Sequence, residues 1–390
     1  MNIMNTNLKL KTEDVTTLVI KKRRVIPFFD YTEVFSSTEE ELVEVFKNVL
    51  RRGAFIQQSD LAEFEENLAK FLGVKHAFGV ANCTDGMIIA MRAIGIQPGD
   101  EVIFPSHTFV ASAASIHFTG GTPVPVECGP DHLIDTDAIE KAITSKTKAI
   151  LPVQLNGRTC DMETIRKIAN KHGLKIVEDS AQALGSKFKN RSAGSFGDAA
   201  AFSFYPAKTL GCFGDGGAVV TNDDEIAKNI FMLRDHGRDD YGEIVDWGLN
   251  SRLDNLQAAI LNFKFSHYEK AIDYRRSVAR LYSEYLKDLP DLVLPPAPDA
   301  DTDHFDIYQN YEIEANRRDE LREYLDQAGV KTILQWGGSA VHQFEKLGLN
   351  CELPITEKMI ARSFLLPINT MISDDDVKYI CEKIREFYNH

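Results

Sequence analysis

The chain has 390 residues, of which 44% are hydrophobic and 26% charged, so it is long enough for a large globular domain plus a smaller one. The formal net charge of −14 disfavours nucleic acid as a partner, although a nucleotide ligand would need only a local basic site. No apolar run approaches the roughly 18–20 residues of a membrane span.

The cysteines and the N-terminus predict a cytoplasmic protein. The six cysteines are scattered and include no Cys-x-x-Cys pair, which argues against a disulfide framework and against a zinc site, so no metal is expected. Residues 1–15 lack the basic and long apolar regions of a signal peptide. Residues 1–24 are predicted to be a polar extension, and its basic end at 21–24 is interpreted as a solvated arm rather than a contact for an acidic partner.

Strand-like and helix-like segments alternate from about residue 40 to residue 235. The first clear helix is predicted over 60–72, with Asp60 as its N-cap and Gly73 after its end. Further helices are predicted over 84–94 and 161–172, and strands around 78–80 and at 101–104, 148–155, 174–177 and 199–204. Short apolar strands separated by amphipathic helices predict parallel strands with helices on both faces of the sheet.

The pattern changes after residue 234. A long helical stretch is predicted over about 253–286, followed by a proline-rich connector at 294–298 and mixed elements from 303 onwards. The predicted organisation is therefore a polar extension over 1–24, a large domain over 25–260 and a small α+β domain over 261–390.

Four loops that follow predicted strands carry the residues that pyridoxal phosphate (PLP) chemistry requires. Ligands of open α/β sheets bind beyond the carboxyl ends of the strands. There the chain places Lys208 for a Schiff base, Asp179 for the pyridinium nitrogen, Phe109 for the face of the ring, and Thr84 near a helix N-terminus that can bind a phosphate.

Each of these residues has an ordinary explanation when it is taken alone. A lone lysine such as Lys208 is usually a solvated charge, Asp179 could cap the next helix, and Phe109 would more often lie in a core. The glycines after Lys208 lack the Gly-Lys-Ser/Thr ending of a P-loop. No Gly-x-Gly-x-x-Gly follows the first strand, which disfavours an NAD-dependent oxidoreductase.

Taken together, the motifs resemble a known family. Ile-Val-Glu-Asp-Ser-Ala-Gln-Ala-Leu-Gly at 176–185, Gly-Asp at 197–198, Phe-Ser-Phe-Tyr-Pro-Ala-Lys at 202–208 and Gly-Asp-Gly-Gly at 214–217 are similar to the DegT/DnrJ/EryC1/StrS sugar aminotransferases. The likeness runs from about residue 26 to the C-terminus. It implies an α/β, aspartate-aminotransferase-like fold (fold type I), with a mostly parallel seven-stranded central sheet and a smaller C-terminal α+β domain, in a homodimer.

The resemblance also implies a role for each matching residue. Lys208 matches the lysine that holds PLP, and Asp179 matches the partner of the pyridinium nitrogen. The other cofactor positions are Gln182 at the ring hydroxyl, Thr84, the backbone of Asp85 and Ser203 at the phosphate, Phe109 on the ring face, and Asn250, which reaches the phosphate of a neighbouring subunit. Weaker matches place Tyr205, His236, Gly237 and His342 near the sugar.

The implied reaction moves an amino group from glutamate to a keto sugar attached to a nucleotide. The segments 202–211 and 214–217 resemble the branch that acts on 3-keto sugars, whereas the loop at 335–342 departs from the common family pattern and leaves the sugar open. The alternatives are a 4-keto nucleotide-sugar aminotransferase, an aminocyclitol (inosose) aminotransferase and a non-catalytic PLP-binding regulator. Lys208 argues against the branch that has histidine at this position and removes a sugar hydroxyl.

Overall fold

The computed structural model describes residues 24–389, so the predicted extension over 1–24 lies outside the described residues except for Arg24. The strands are β1 (His76–Val80), β2 (Glu101–Pro105), β3 (Thr122–Val126), β4 (Thr147–Ile150), β5 (Lys175–Asp179), β6 (Lys187–Phe188), β7 (Arg191–Ser192), β8 (Ala199–Ser203), β9 (Gly217–Thr221), β10 (Leu292–Val293), β11 (His304–Phe305), β12 (Tyr311–Ala315) and β13 (Ser363–Leu366).

The helices alternate with these strands in the first part of the chain and dominate the last part. They are α1 (Tyr31–Ser36), α2 (Glu39–Arg52), α3 (Ser59–Leu72), α4 (Cys83–Ala93), α5 (Val110–Phe118), α6 (Thr136–Ala142), α7 (Met162–His172), α8 (Asp224–Arg234), α9 (Asn255–Phe265), α10 (Tyr268–Leu286), α11 (Arg318–Gln327), α12 (Pro354–Ile360) and α13 (Asp374–Tyr388). Among the described residues, no helix combines the length and the apolarity needed to cross a bilayer.

A seven-stranded sheet forms the centre of the molecule, in the order β1-β9-β8-β5-β4-β2-β3. The pairs from β8 across to β3 are parallel, and β9 alone runs antiparallel to its neighbours β1 and β8. The prediction of a mostly parallel seven-stranded sheet is therefore confirmed. Because the parallel strands share one direction, the loops after β2, β5 and β8 leave the sheet at the same edge.

Alternate residues of each strand enter different cores, as the two-residue period of a strand requires. Val177 and Val219 pack in a cluster with α4, α5 and α8 on one face. Ile176 packs with α6 and α7, and Val220 with α3 and α9, on the other face. Helices cover both faces, so the strands are buried on both sides.

A second core lies in the C-terminal part of the chain. The antiparallel sheet β10-β12-β13 packs with α10, α11 and α13 around Tyr282 and Tyr311, whose rings stack at 4.8 Å. Helix α10 contributes Ile272 to a core of the central sheet and Val278 to this second core. The change of core within α10 agrees with two packing units, and a domain boundary at residue 260 stays a prediction.

Three details of the predicted elements are wrong. Helix α3 begins at Ser59, and Asp60 pairs with Arg52 at 2.8 Å instead of capping the helix. The strand predicted over 148–155 ends at Ile150, because the next residues include Pro152, which lacks an N–H, and a short turn over Leu155–Gly157. The long helical stretch is two helices, α9 and α10, with a break between Phe265 and Tyr268.

Candidate active site

A buried carboxylate stands at the carboxyl end of the central sheet. Asp179 ends β5 and is only 4% exposed. Its Oδ2 accepts a hydrogen bond from the Ser112 hydroxyl at 2.7 Å, and its Oδ1 accepts one from the Ala181 N–H at 3.1 Å. Burial raises the pKa of Asp179, while the two hydrogen bonds and the charge of Lys208 oppose that rise. The carboxylate is thus fixed in orientation and suited to pair with a cationic ring nitrogen.

Lys208 shares a cavity with this carboxylate. The cavity has a volume of about 560 Å³ and is called the Asp179 cavity below. Burial lowers the pKa of Lys208, and the charge of Asp179 opposes the fall. Gln309 holds the loop around Lys208, because its side chain accepts the Thr209 N–H at 2.8 Å and donates to the Ala207 carbonyl at 3.0 Å. The lysine is therefore positioned and partly desolvated.

The N-terminus of α4 borders the same cavity. Thr84 on its first turn and Ser203 at the end of β8 both line it. The Asp85 N–H, predicted as a phosphate ligand, here donates to the N-cap side chain of Asn82 at 2.8 Å. A Cβ at Gly217 would come within 2.6 Å of the Asn82 backbone, so only glycine lets β9 start this close to α4. A helix N-terminus with two hydroxyls is suited to bind a phosphate.

The rest of the cavity wall suits a flat ring. Phe109, which is 53% exposed, and Ala181 line the cavity. Gln182 also lines it, and its Oε1 accepts hydrogen bonds from the Asn156 N–H at 2.8 Å and the Asn310 Nδ2 at 3.4 Å. Because the amide oxygen is engaged in this way, the amide N–H groups of Gln182 are left to donate to an oxygen of a ligand.

A second cavity of about 690 Å³ adjoins the first. It shares Lys208, Gln182, Tyr205 and Trp336 with the Asp179 cavity, and is called the Arg275 cavity below. Arg275 is 3% exposed and donates only to backbone carbonyls, at 3.1 Å. Burial lowers its pKa to about 10. The cavity therefore holds a local positive charge in an acidic chain.

Besides Asp85, whose N–H is described above, four predicted residues line neither cavity in the described chain. Asn250 and His236 are exposed in the segment after α8, and Gly237 packs there against the Asp246 carbonyl, where a Cβ would clash. His342 is buried between Ser106, 2.7 Å from its Nδ1, and Glu357, 3.1 Å from its Nε2. The contribution of Asn250 to a neighbouring subunit and the sugar contacts of the histidines stay predictions.

Sequence reasoning missed several residues of the site. Ser112 orients Asp179, Gln309 holds the loop around Lys208, and Arg275 charges the second cavity. Each acts through a contact between distant segments, for which the sequence carries no local signal. Among residues 24–389, which the structure describes, these three residues belong to no motif of fixed spacing.

The residues of the Asp179 cavity fit PLP. The cavity combines a desolvated lysine, a buried carboxylate held by two donors, an amide with free N–H groups, and hydroxyls at a helix N-terminus. These are the groups needed for the aldehyde carbon, the ring nitrogen, the ring hydroxyl and the phosphate of that cofactor.

Comparison with known proteins agrees with this reading. The model of the DegT/DnrJ/EryC1/StrS aminotransferase family matches residues 36–385. Relatives include a dTDP-3-amino-3,4,6-trideoxy-α-D-glucose transaminase of Streptomyces venezuelae (39% identical, covering 93% of this chain and 96% of that protein) and a UDP-2-acetamido-2-deoxy-3-oxo-D-glucuronate aminotransferase of Pseudomonas aeruginosa (35%, 92% and 99%). A protein called "Pleiotropic regulatory protein" in Geobacillus stearothermophilus is 38% identical (94% and 99%).

Solved structures show the same fold. The DesV protein of S. venezuelae superposes with a TM-score of 0.89 at 38% identity, covering 94% of this chain and 99% of that chain. NtdA of Bacillus subtilis, solved with the cofactor PMP, superposes with a TM-score of 0.87 at 28% identity, covering 94% and 86%. The predictions of fold type, PLP cofactor and aminotransferase activity are confirmed. The chain belongs to the DegT/DnrJ/EryC1/StrS aminotransferase family.

Proposed function

We propose that this aminotransferase moves an amino group from glutamate to the keto group of a nucleotide-linked sugar, at C3′ of a 3-keto sugar. The observation that carries the proposal is the shared position of Lys208, between a cavity that fits PLP and a second cavity with a buried arginine. Both substrates carry anionic groups, which the Arg275 guanidinium attracts in a desolvated setting. The two relatives named for 3-amino or 3-oxo sugars support C3′.

Each residue of the site has a separate role in the proposed reaction. Bound PLP supplies an electron-accepting ring on which amino groups are exchanged. The Asp179 carboxylate, which Ser112 and Ala181 orient, would pair with the ring nitrogen and favour its protonated form. Lys208, whose lowered pKa favours the neutral amine, would carry the proton between the substrate carbon and the cofactor carbon that are joined through the transferred nitrogen.

The wall between the two cavities is proposed to orient the sugar. Trp336 lines both cavities and has a left-handed backbone with φ 49°, followed by Gly337 at φ 76° and Gly338 at φ 80°. Such a backbone is unfavourable for tryptophan and persists where its surroundings fix it. Trp336 and Tyr205 therefore form an aromatic border beside Lys208 that is proposed to position the sugar ring.

Removal of the Ser112 hydroxyl tests how the carboxylate is oriented. We expect Ser112→Ala to lower kcat at least about tenfold, because a hydrogen bond to a charged group is worth about 1.5–3 kcal/mol. Ser115→Ala is the matched control, since Ser115 is buried on the same helix but donates to the Ser112 carbonyl and not to Asp179. Steady-state kinetics that show equal losses in both variants would contradict the assignment.

The position of the new C–N bond tests the substrate. We expect the enzyme, supplied with glutamate and either a 3-keto or a 4-keto 6-deoxy nucleotide sugar, to aminate only the 3-keto compound. NMR of the product locates the bond. Amination only at C4′ would overturn the C3′ assignment and leave the aminotransferase reaction in place. An inosose tested in parallel distinguishes the aminocyclitol alternative.

A regulatory function is the second candidate, and the name of the Geobacillus relative favours it. A regulator that binds PLP needs a cofactor site but does not need to catalyse amino transfer. The presence of both Lys208 and the oriented Asp179 supports catalysis instead. A purified protein that binds PLP yet forms no amino sugar from any member of a keto-sugar panel would favour the regulator.

The enzyme is proposed to be a homodimer with shared active sites. The segment between α8 and α9 carries exposed apolar side chains, including Tyr241 at 91% and Trp247 at 87% exposure, which favour burial against a second copy. Asn250 lies in the same segment. Its proposed partner is the phosphate in the neighbouring subunit.

Mixed dimers test this arrangement. Lys208→Ala and Asn250→Ala homodimers should each be nearly inactive, but subunit exchange should restore about a quarter of the wild-type activity, because half of the dimers are mixed and each has one intact site. Activity after co-refolding or co-expression is the measurement. A mixture as inactive as its components would contradict a shared site.

The proposed location is the cytoplasm. The described cysteines are all free, and five of them are buried. Reduced thiols are typical of proteins in reducing compartments. This supports the prediction made from the scattered cysteines of the sequence.

A further inference from the structure

Three buried side chains from separate segments meet beside the two cavities. His107 lies in the loop after β2, His132 in the loop after β3, and Glu312 on β12. Their side chains are 2%, 11% and 3% exposed. One possible ligand atom from each lies within 4.8 Å of the other two. The cluster therefore joins the central sheet to the C-terminal sheet.

The histidine nearest the cavities is incompletely satisfied. His107 Nε2 lies 3.4 Å from Glu312 Oε1 without the geometry of a hydrogen bond, and neither ring nitrogen of His107 has a hydrogen-bond partner among the described residues. Buried polar atoms are normally paired with protein or with an ordered ligand. The imidazole faces a carboxylate and a second imidazole, and a cation bound by all three groups would satisfy it.

We propose that His107, His132 and Glu312 bind a zinc ion. Two imidazoles and one carboxylate form a known zinc donor set that leaves one position open. Ligands at 2.0–2.1 Å in a tetrahedron stand about 3.3 Å apart, and the distances from Glu312 oxygens to His107 Nε2 and His132 Nδ1 are 3.4 Å and 2.9 Å, so small side-chain shifts would admit the ion. A cavity of about 60 Å³ borders His132 and Glu312. It exceeds the roughly 10–15 Å³ that one water needs, so water can supply the fourth ligand.

The surroundings resemble the outer shell of a metal site. His132 places Nδ1 2.9 Å from Glu312 Oε2, and its Nε2 lies 3.4 Å from Glu314 Oε1. Metal-bound histidines commonly donate their second N–H to a carboxylate, which fixes the ring. Asn156 Nδ2 donates to Glu312 Oε2 at 2.7 Å and fixes the carboxylate in turn.

The ion would act as a positioning element for the cofactor site. Asn156 links the cluster to Gln182, because its side chain donates to Glu312 and its backbone N–H donates to the Gln182 amide oxygen. The ring of His107 also packs edge-on against Trp336, with centroids 5.3 Å apart. Zinc would thus hold Gln182 and Trp336 while it ties β12 to the central sheet. This proposal revises the expectation of a metal-free protein, which considered only cysteine spacing.

Zinc content and location test the proposal in the wild-type holoenzyme. Tag-free protein is treated with a chelator, dialysed against zinc and then against buffer, analysed by plasma mass spectrometry, and crystallised for anomalous scattering at the zinc edge. We expect one zinc per chain and a peak about 2.0–2.2 Å from one atom of each of the three residues. Substoichiometric zinc, or a peak elsewhere such as the cofactor phosphate, would overturn the proposal.

Two ligand variants and a control make the assignment specific. His107→Gln and Glu312→Gln should each weaken zinc binding by at least about 100-fold, since even outer residues of metal sites contribute 10–100-fold. His76→Gln, which changes a half-buried histidine paired with Asp224, should bind zinc as the wild type does. Zinc should also raise the wild-type Tm. This last measurement stands even if a variant does not fold, and an unchanged Tm would mean that the cluster is only a buried ion-pair network.

Discussion

Lys208→Ala is expected to lower kcat at least about 1,000-fold and to abolish the visible absorption of the bound cofactor. The reason is that Lys208 serves both as the covalent attachment point and as the proton carrier, and general acid–base catalysis alone contributes about 10²–10⁴-fold. Lys175→Ala is the control, because Lys175 is exposed and pairs with Asp198 at 3.0 Å. Absorption spectra and kinetics of both variants are the measurement.

Peptide mapping makes the assignment of Lys208 specific. Borohydride reduction of the wild-type holoenzyme should leave a pyridoxyl adduct on Lys208, the lysine that shares its cavity with Asp179. An adduct on any other lysine, or a Lys208→Ala variant that retains turnover, would contradict the site described above.

Asp179→Asn is expected to bind the cofactor but to lose about 100-fold or more in kcat. The substitution keeps the shape and removes the charge that stabilises the protonated ring, and such an oriented electrostatic contribution is worth about 3 kcal/mol. The Ala181 N–H can still donate to the amide oxygen, and the Ser112 hydroxyl can accept from the new NH2 group, so a loss of folding is not the expected cause.

Glu178→Gln is the informative contrast for this variant. Glu178 is also buried, but it points to the loop over 194–197. Its carboxylate accepts hydrogen bonds from three backbone N–H groups of that loop and from the side-chain amide of Gln154. Its loss should lower the Tm and leave the spectrum of the bound cofactor unchanged. Near-normal turnover of Asp179→Asn, or a spectral change only in Glu178→Gln, would show that Asp179 is not the carboxylate that pairs with the ring nitrogen.

The sequence predicts best those functional residues that directly follow a strand. Asp179 and Lys208 follow apolar segments at 174–177 and 199–204, and the parallel arrangement brings such ends to one edge of the sheet. The sequence pattern does not predict β9, because its first residue, Gly217, belongs to the glycine-rich segment after Lys208. In the structure Gly217 begins β9, where it is needed for close approach to α4.

The remaining features depend on contacts between distant segments. Ser112 meets Asp179 across 67 residues, and His132 meets Glu312 across 180 residues, so neither pair has a spacing that a single sequence could reveal. Asp60 was assigned as an N-cap from residue type alone, but its ion pair with Arg52 occupies the carboxylate. The proposed role of Asn250 cannot be tested by contacts within one chain, because it requires a second copy of the chain.

Transfer of labelled nitrogen tests the central claim most directly. The PLP-loaded enzyme is incubated with ¹⁵N-glutamate and, separately, with 3-keto and 4-keto nucleotide sugars, and the products are examined by NMR and mass spectrometry. The geometry at Lys208, Asp179 and Arg275 predicts transfer of ¹⁵N to a keto sugar with one 2-oxoglutarate for each amino sugar formed, and the proposed substrate class places that ¹⁵N at C3′. A correctly folded, PLP-loaded enzyme that transfers no ¹⁵N to either sugar would contradict it.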